Sequence, residues 1–118
     1  MSSQPIPQAP QKRPTSVLVI EIIGYVGVAF WVIMTLRAFL TGSSSAWMVL
    51  LLALVLGSAH VVIAVGARRR MRIAIAAMWF VLVSDSLLTI FVDVKALALV
   101  LATVALLLLA RSARTWWN

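Results

Sequence analysis

Four apolar runs, each close to the length that crosses a lipid bilayer, constrain this chain more than any other feature. They occupy residues 17–36, 46–67, 73–92 and 94–110. A hydrocarbon core of about 30 Å needs about 20 residues of helix at a rise of about 1.5 Å per residue. Within lipid every backbone polar group needs an internal partner, so these runs are expected to be helices and not isolated strands. With 64% hydrophobic and 11% charged residues, the composition excludes a water-soluble globule, whose apolar share is roughly half. The expected fold is an all-α membrane protein, four transmembrane helices in an up-and-down antiparallel bundle. The fourth run is the shortest. It is free of charge only over residues 96–110, so Lys95 and Arg111 must reach to the two interfaces or the bilayer must thin.

The basic residues orient the bundle. Lys12 and Arg13 precede the first run, Arg68, Arg69, Arg70 and Arg72 separate the second from the third, and Arg111 and Arg114 follow the fourth. Only Arg37 and Lys95 fall on the other side. Short loops follow the positive-inside rule, so both termini are expected in the cytoplasm. Trp47, Trp116 and Trp117 are expected at the interfaces as an aromatic belt. The Arg68 to Arg72 cluster reads as a topology signal in contact with lipid headgroups. A nucleic-acid role lacks a soluble domain to dock on a duplex.

All four prolines fall within the first fourteen residues. Residues 1–15 are therefore expected to form a disordered cytoplasmic tail, residues 16–111 the transmembrane domain, and residues 112–118 a cytoplasmic interfacial tail. Thr15 and Ser16 after Pro14 are a start signal that can cap the first helix. The basic pair, the apolar run and Ser44 to Ala46 imitate a cleaved secretory signal, but the run exceeds the roughly 7 to 15 residues of such a segment.

Lipid gives helices no hydrophobic reason to associate, so small residues are expected where backbones approach. Gly24 and Gly27 lie one turn apart on the first helix. Ala53 with Gly57, and Ala98 with Ala102, have four-residue spacing on the second and fourth. Short turns at Arg68 to Arg72 and Asp93 to Lys95 make sequential helices antiparallel neighbours.

Ionisable residues inside a span cost about 2.5 to 3.5 kcal/mol on insertion scales, so they are where function would reside. Glu21 and His60 each lie about 9 to 12 Å from the Arg-rich side by helix rise and are expected at similar depth. They form either a proton-handling pair or two structural groups. Asp85 lies roughly 20 Å in from that side, near Ser84, Ser86 and Thr89. Arg37 is the one long cation at its height, which makes an Asp85 to Arg37 tie one expectation and a substrate or ion site the other. A Ser-His-Asp triad is not expected, because His60 and Asp85 differ in depth. The chain has no Cys and one His, which excludes a disulfide framework and thiolate metal site and leaves haem ligation unsupported. No metal, cofactor or enzymatic activity is expected.

The stretch GARRRMRIAIAAMWFVL, Gly66 to Leu82, and the ending LLLLARSARTWW, Leu106 to Trp117, resemble the small four-helix bacterial integral membrane proteins of uncharacterised function. The resemblance covers about residues 57–118 and implies architecture without an activity. Eight Arg against two Lys, with heavy Ala, Val and Leu usage, fit a GC-rich bacterial genome and thus an inner-membrane location. Small multidrug resistance exporters also have four spans and a Glu in the first helix, but VIEIIGYVG around Glu21 does not reproduce their motif. Two functions are expected. The first is a non-enzymatic accessory or interaction subunit, with the lipid bilayer and a membrane-protein partner or a second copy as its contacts. The alternative is a small oligomeric proton-coupled transporter or channel using Asp85 or the Glu21 and His60 pair.

Overall fold

A computed structural model describes residues 13–117, and among them the chain is entirely helical. Helix α1 is Thr15–Leu40, α2 is Ala46–Arg68, α3 is Ile73–Phe91, and α4 is Leu97–Ser112 after a 3-10 turn at Val94–Ala96. Four helical segments are long and apolar enough to cross a membrane, the last counting the 3-10 turn with α4. Most of the tail expected to be disordered lies outside the described residues.

The helix ends follow from local chemistry. Pro14 is the N-cap of α1, and its carbonyl accepts the Val17 and Leu18 amides at 3.0 and 3.1 Å. Among the described residues no side chain caps that end, and Thr15 and Ser16 sit inside the first turn and do not act as the expected caps. α1 runs four residues past the expected end at Leu36, because nothing before Gly42 breaks it. Gly42, at φ 67°, stops it: its amide bonds the Phe39 carbonyl and Ser43 bonds that of Ala38. Left-handed backbone at this position suits glycine, which has no Cβ to clash. α2 ends with the same bonding, Arg70 to Ala67 and Met71 to Gly66, but here Arg70 holds the left-handed conformation at φ 59°. The Asp93 carboxylate caps the 3-10 turn by accepting the Lys95 amide at 2.9 Å.

The helices pack in chain order, α1 on α2, α2 on α3 and α3 on α4, with α4 also touching α1. Small residues set the closest approaches. A Cβ on Gly24 would come within 2.9 Å of the Ala64 Cβ, and one on Gly66 within 2.9 Å of the Ala74 Cβ. A buried cluster including Ile20, Leu56, Ile63, Met78, Val81 and Leu106 runs through the centre. No more than 28% of any spanning window is buried, and large apolar side chains such as Ile33, Leu51 and Val83 point outward. An all-helical chain that exposes such faces is built for lipid, where they cost nothing.

In the C-terminal segment Trp116 and Trp117 are buried against the bundle, at 4% and 8% exposure. Their indole nitrogens donate to the carbonyls of Ala67 at 2.7 Å and Ala110 at 3.0 Å. Those carbonyls belong to helix ends, which leave backbone acceptors without intrahelical donors. The Trp117 indole supplies such a donor to Ala110, the Trp116 indole adds a second donor to Ala67 beside the Arg70 amide, and the two close the Arg-rich end of the bundle. Trp47 remains exposed, edge-on to Phe39 at 5.2 Å between ring centroids.

Candidate functional site

Each polar side chain at the centre continues an inward-facing apolar stripe. On α3 the buried positions are Ala74, Met78, Val81 and then Asp85; on α4 they are Thr103, Leu106 and Ala110. His60 lies between Leu56 and Ile63 on the buried face of α2. The three- and four-residue spacing keeps each of these sets on one side of its helix. Asp85, His60 and Thr103 are thus carried inward by the packing of their apolar neighbours.

They meet at a cavity of about 160 Å³ beside α1, with Gly27, Phe30 and Trp31 among its other walls. Val26 of α1 and Ala102 of α4 line it and are exposed on the outer surface, so the cavity lies along the α1 and α4 seam. Gly27 is required there, because a Cβ in its place would overlap the His60 ring. His60 Nδ1 lies 2.7 Å from the Leu56 carbonyl. A carbonyl only accepts, so that nitrogen carries the hydrogen and, in the neutral ring, Nε2 is the basic atom.

The Asp85 carboxyl is 2% exposed. Its Oδ2 lies 3.1 Å from Thr103 Oγ1, while Oδ1 is buried with no hydrogen-bond partner among the described residues. Thr103 Oγ1 also lies 2.8 Å from the Leu99 carbonyl. One hydroxyl has one proton and cannot donate to both acceptors. When Asp85 is ionised, Thr103 donates to it. When Asp85 is protonated, it donates to Thr103, which donates onward to Leu99. The same heavy-atom geometry therefore accommodates both protonation states. A buried oxygen without a donor costs about 1 to 3 kcal/mol, and such atoms mark positions kept for something other than stability.

Other expected partners are elsewhere. Arg37 is exposed near the end of α1 and makes no ion pair with Asp85, which corrects the expected tie; matching height did not bring the two onto facing sides. Glu21 is held by Arg13, whose Nη1 donates to both carboxylate oxygens at 2.7 Å, so no bond links Glu21 to His60. Thr89 and Ser86 turn back onto their own helix, donating to the Asp85 and Leu82 carbonyls. His60 and Asp85, expected at separate depths, line the same cavity.

The small residues separate likewise. Gly24 and Gly27 face α2, and Ala102 lines the cavity. Ala98 is exposed. Ala53 and Gly57 line an outer groove between α1 and α2, where a Cβ on Gly57 would meet nothing within 4 Å. Of the arginines, Arg68, Arg69 and Arg72 are exposed, whereas Arg70 lies over the Trp116 ring, 4.8 Å from its centroid. Thr103 is the member that the sequence reading omitted. Its one signal was being the sole hydroxyl within an otherwise apolar run from Ala96 to Ala110. Among the described residues no group of three His, Asp or Glu side chains is arranged to hold a metal.

Comparison of the chain with known protein families, curated proteins and solved structures gives no match.

Proposed function

We propose that this chain is a non-enzymatic protein of the bacterial cytoplasmic membrane in which Asp85, with Thr103 and His60 beside it, takes up and releases protons within the bilayer, as in a small oligomeric proton-coupled transporter. The observation that carries this reading is the buried Asp85 carboxyl, with one oxygen on a hydroxyl that serves either protonation state and the other unpartnered. Ionisable groups inside a membrane are expensive and are characteristic of proton relays. Asp85 is the primary proton site. Thr103 adjusts to its charge, and His60 Nε2 is a second basic atom on the cavity.

The proposed topology is an up-and-down antiparallel bundle with both termini in the cytoplasm, following the basic residues. Four helices are a thin wall for a pathway, so the working unit is an oligomer. The test is proton entry into dye-loaded liposomes driven by a potassium diffusion potential. Wild-type protein is expected to admit protons faster than protein-free vesicles, and Asp85→Asn to return the rate to the protein-free level. Equal rates for wild type and Asp85→Asn would overturn the reading.

A second reading, an accessory subunit acting through a partner in the bilayer, is favoured by the groove between α1 and α2. Gly57 leaves its floor open, and Ala53, Val32 and Leu54 line its apolar walls. Small-residue grooves are where transmembrane helices approach one another. Affinity purification from native membranes in mild detergent tests it. A stoichiometric membrane partner lost on Gly57→Leu supports this reading, while recovery of the chain alone or with copies of itself removes it.

A further inference from the structure

A second groove runs between α3 and α4 at the Arg-rich end. Its α3 wall carries Arg72, Trp79 and Leu82, and its α4 wall Val104, Leu108 and Arg111; Arg114 closes its mouth, and its volume is about 620 Å³. The spacings along each helix place these residues on single faces turned toward one another. The lining is divided along its length. The three guanidiniums cluster at one end, and below them the walls are apolar.

Among the described residues no acidic side chain compensates the charges at that mouth. Arg72, Arg111 and Arg114 are exposed, and none of their guanidiniums makes a hydrogen bond or ion pair with a described residue. The three acidic residues of the chain are committed or distant. Glu21 is held by Arg13, Asp85 is at the bundle centre, and Asp93 caps the turn at the opposite end of α3 and α4. Arg70, although in the same run, is turned away onto Trp116. The apolar part extends from Arg111 back to Val104, about 10 Å by helix rise, or about a third of a hydrocarbon core of about 30 Å. Cations at the interface over an apolar channel of that depth match a phosphate joined to the upper part of an acyl chain.

We infer that this groove is a specific site for an anionic glycerophospholipid, its phosphate held by Arg72, Arg111 and Arg114 and one acyl chain lying between α3 and α4 past Trp79 and Val104. The occupant is a membrane lipid and not free phosphate, because the apolar length has no use for an inorganic ion. Arginine suits the role, since its planar donors engage two phosphate oxygens at once. The inference stands apart from proton transfer at Asp85, with which it shares no residue.

Native mass spectrometry of delipidated full-length protein in detergent tests it, titrating phosphatidylglycerol and phosphatidylcholine with identical acyl chains. Wild type is expected to bind one phosphatidylglycerol at least about tenfold more tightly than phosphatidylcholine. Replacing all three groove arginines by Gln is expected to abolish that preference. Replacing the exposed Arg68 and Arg69, which lie outside the groove, is expected to leave it intact. Circular dichroism of each variant checks that the helices persist. Inorganic phosphate is expected not to displace the lipid. The proposal is overturned if wild type has no preference, if the groove variant keeps it, if the Arg68 and Arg69 variant loses it equally, or if phosphate alone competes.

Discussion

The Arg70 guanidinium lies over the Trp116 indole, 4.8 Å from its ring centroid, and its Nε donates to the Trp116 carbonyl at 2.9 Å. Trp116 returns a bond to Ala67, one turn before Arg70. This reciprocal contact ties the C-terminus to the α2 end and holds Arg70 in left-handed backbone, a conformation that costs a non-glycine residue about 1 kcal/mol. Two substitutions separate the contributions. Arg70→Ala loses the side-chain contacts and keeps the backbone cost, whereas Arg70→Gly loses the same contacts and relieves it. Thermal unfolding in detergent is expected to rank wild type above Arg70→Gly, and Arg70→Gly above Arg70→Ala by about 1 kcal/mol.

Truncating Trp116 removes a buried indole and takes from the Ala67 carbonyl the shorter of its two donors, leaving the Arg70 amide at 3.3 Å. Trp116→Ala is expected to cost about 3 kcal/mol or more. Trp116→Phe keeps most of the packing and loses the hydrogen bond, so about 1 kcal/mol is expected. Similar unfolding temperatures for Trp116→Ala and wild type would mean that the tail is not docked.

Gly27 and Gly57 are both helical glycines and are expected to respond in opposite directions. A methyl at Gly27 overlaps the His60 ring, so Gly27→Ala must displace that ring from its bond to Leu56 or push α1 from α2, and is expected to lower stability by about 1 to 3 kcal/mol. A methyl at Gly57 meets nothing within 4 Å, so Gly57→Ala gains helix propensity, up to about 1 kcal/mol. Equilibrium unfolding of the two variants in one detergent makes the comparison.

Asp85→Asn is expected to remove proton transfer while leaving the fold within about 1 kcal/mol of wild type, because the amide can still bond Thr103 Oγ1. Thr103→Val keeps the shape but leaves both Asp85 oxygens without donors. It is expected to cost about 1 to 3 kcal/mol and to slow proton entry into liposomes. A Thr103→Val variant that unfolds and transports like wild type would remove Thr103 from the relay.

The pair of Arg13 and Glu21 is asymmetric, with side-chain exposures of 41% and 7%. Arg13→Ala strands a buried carboxylate, while Glu21→Gln leaves an arginine that can reach water. Arg13→Ala is expected to lower stability by about 1 to 2 kcal/mol after allowing for solvent screening at the arginine, and Glu21→Gln by less. Detergent unfolding near neutral pH and low salt reads the difference.

Helix existence was legible from the sequence because it depends on length and composition alone. The expected starts at Ala46 and Ile73 coincide with those of α2 and α3, and the turn at Asp93 lies where the third apolar run stops, whereas α1 continues four residues past Leu36. Helix facing was not legible. These spans are apolar on nearly every side, so periodicity barely distinguishes an inward face from an outward one. Depth was the one coordinate available for pairing residues, and depth paired Asp85 with Arg37 and Glu21 with His60.

By itself, then, the sequence determined four membrane-length helices and the ends at which their basic residues cluster, because a backbone in lipid must satisfy its own hydrogen bonds wherever the chain is apolar for long enough. Tertiary structure decided which side chains meet. Each residue turns a helical face by about 100°, and only packing, at Gly24, Gly27, Gly66 and Ala74 among other contacts, sets those rotations. They bring Thr103 to Asp85, His60 to Gly27 and Trp116 to Arg70.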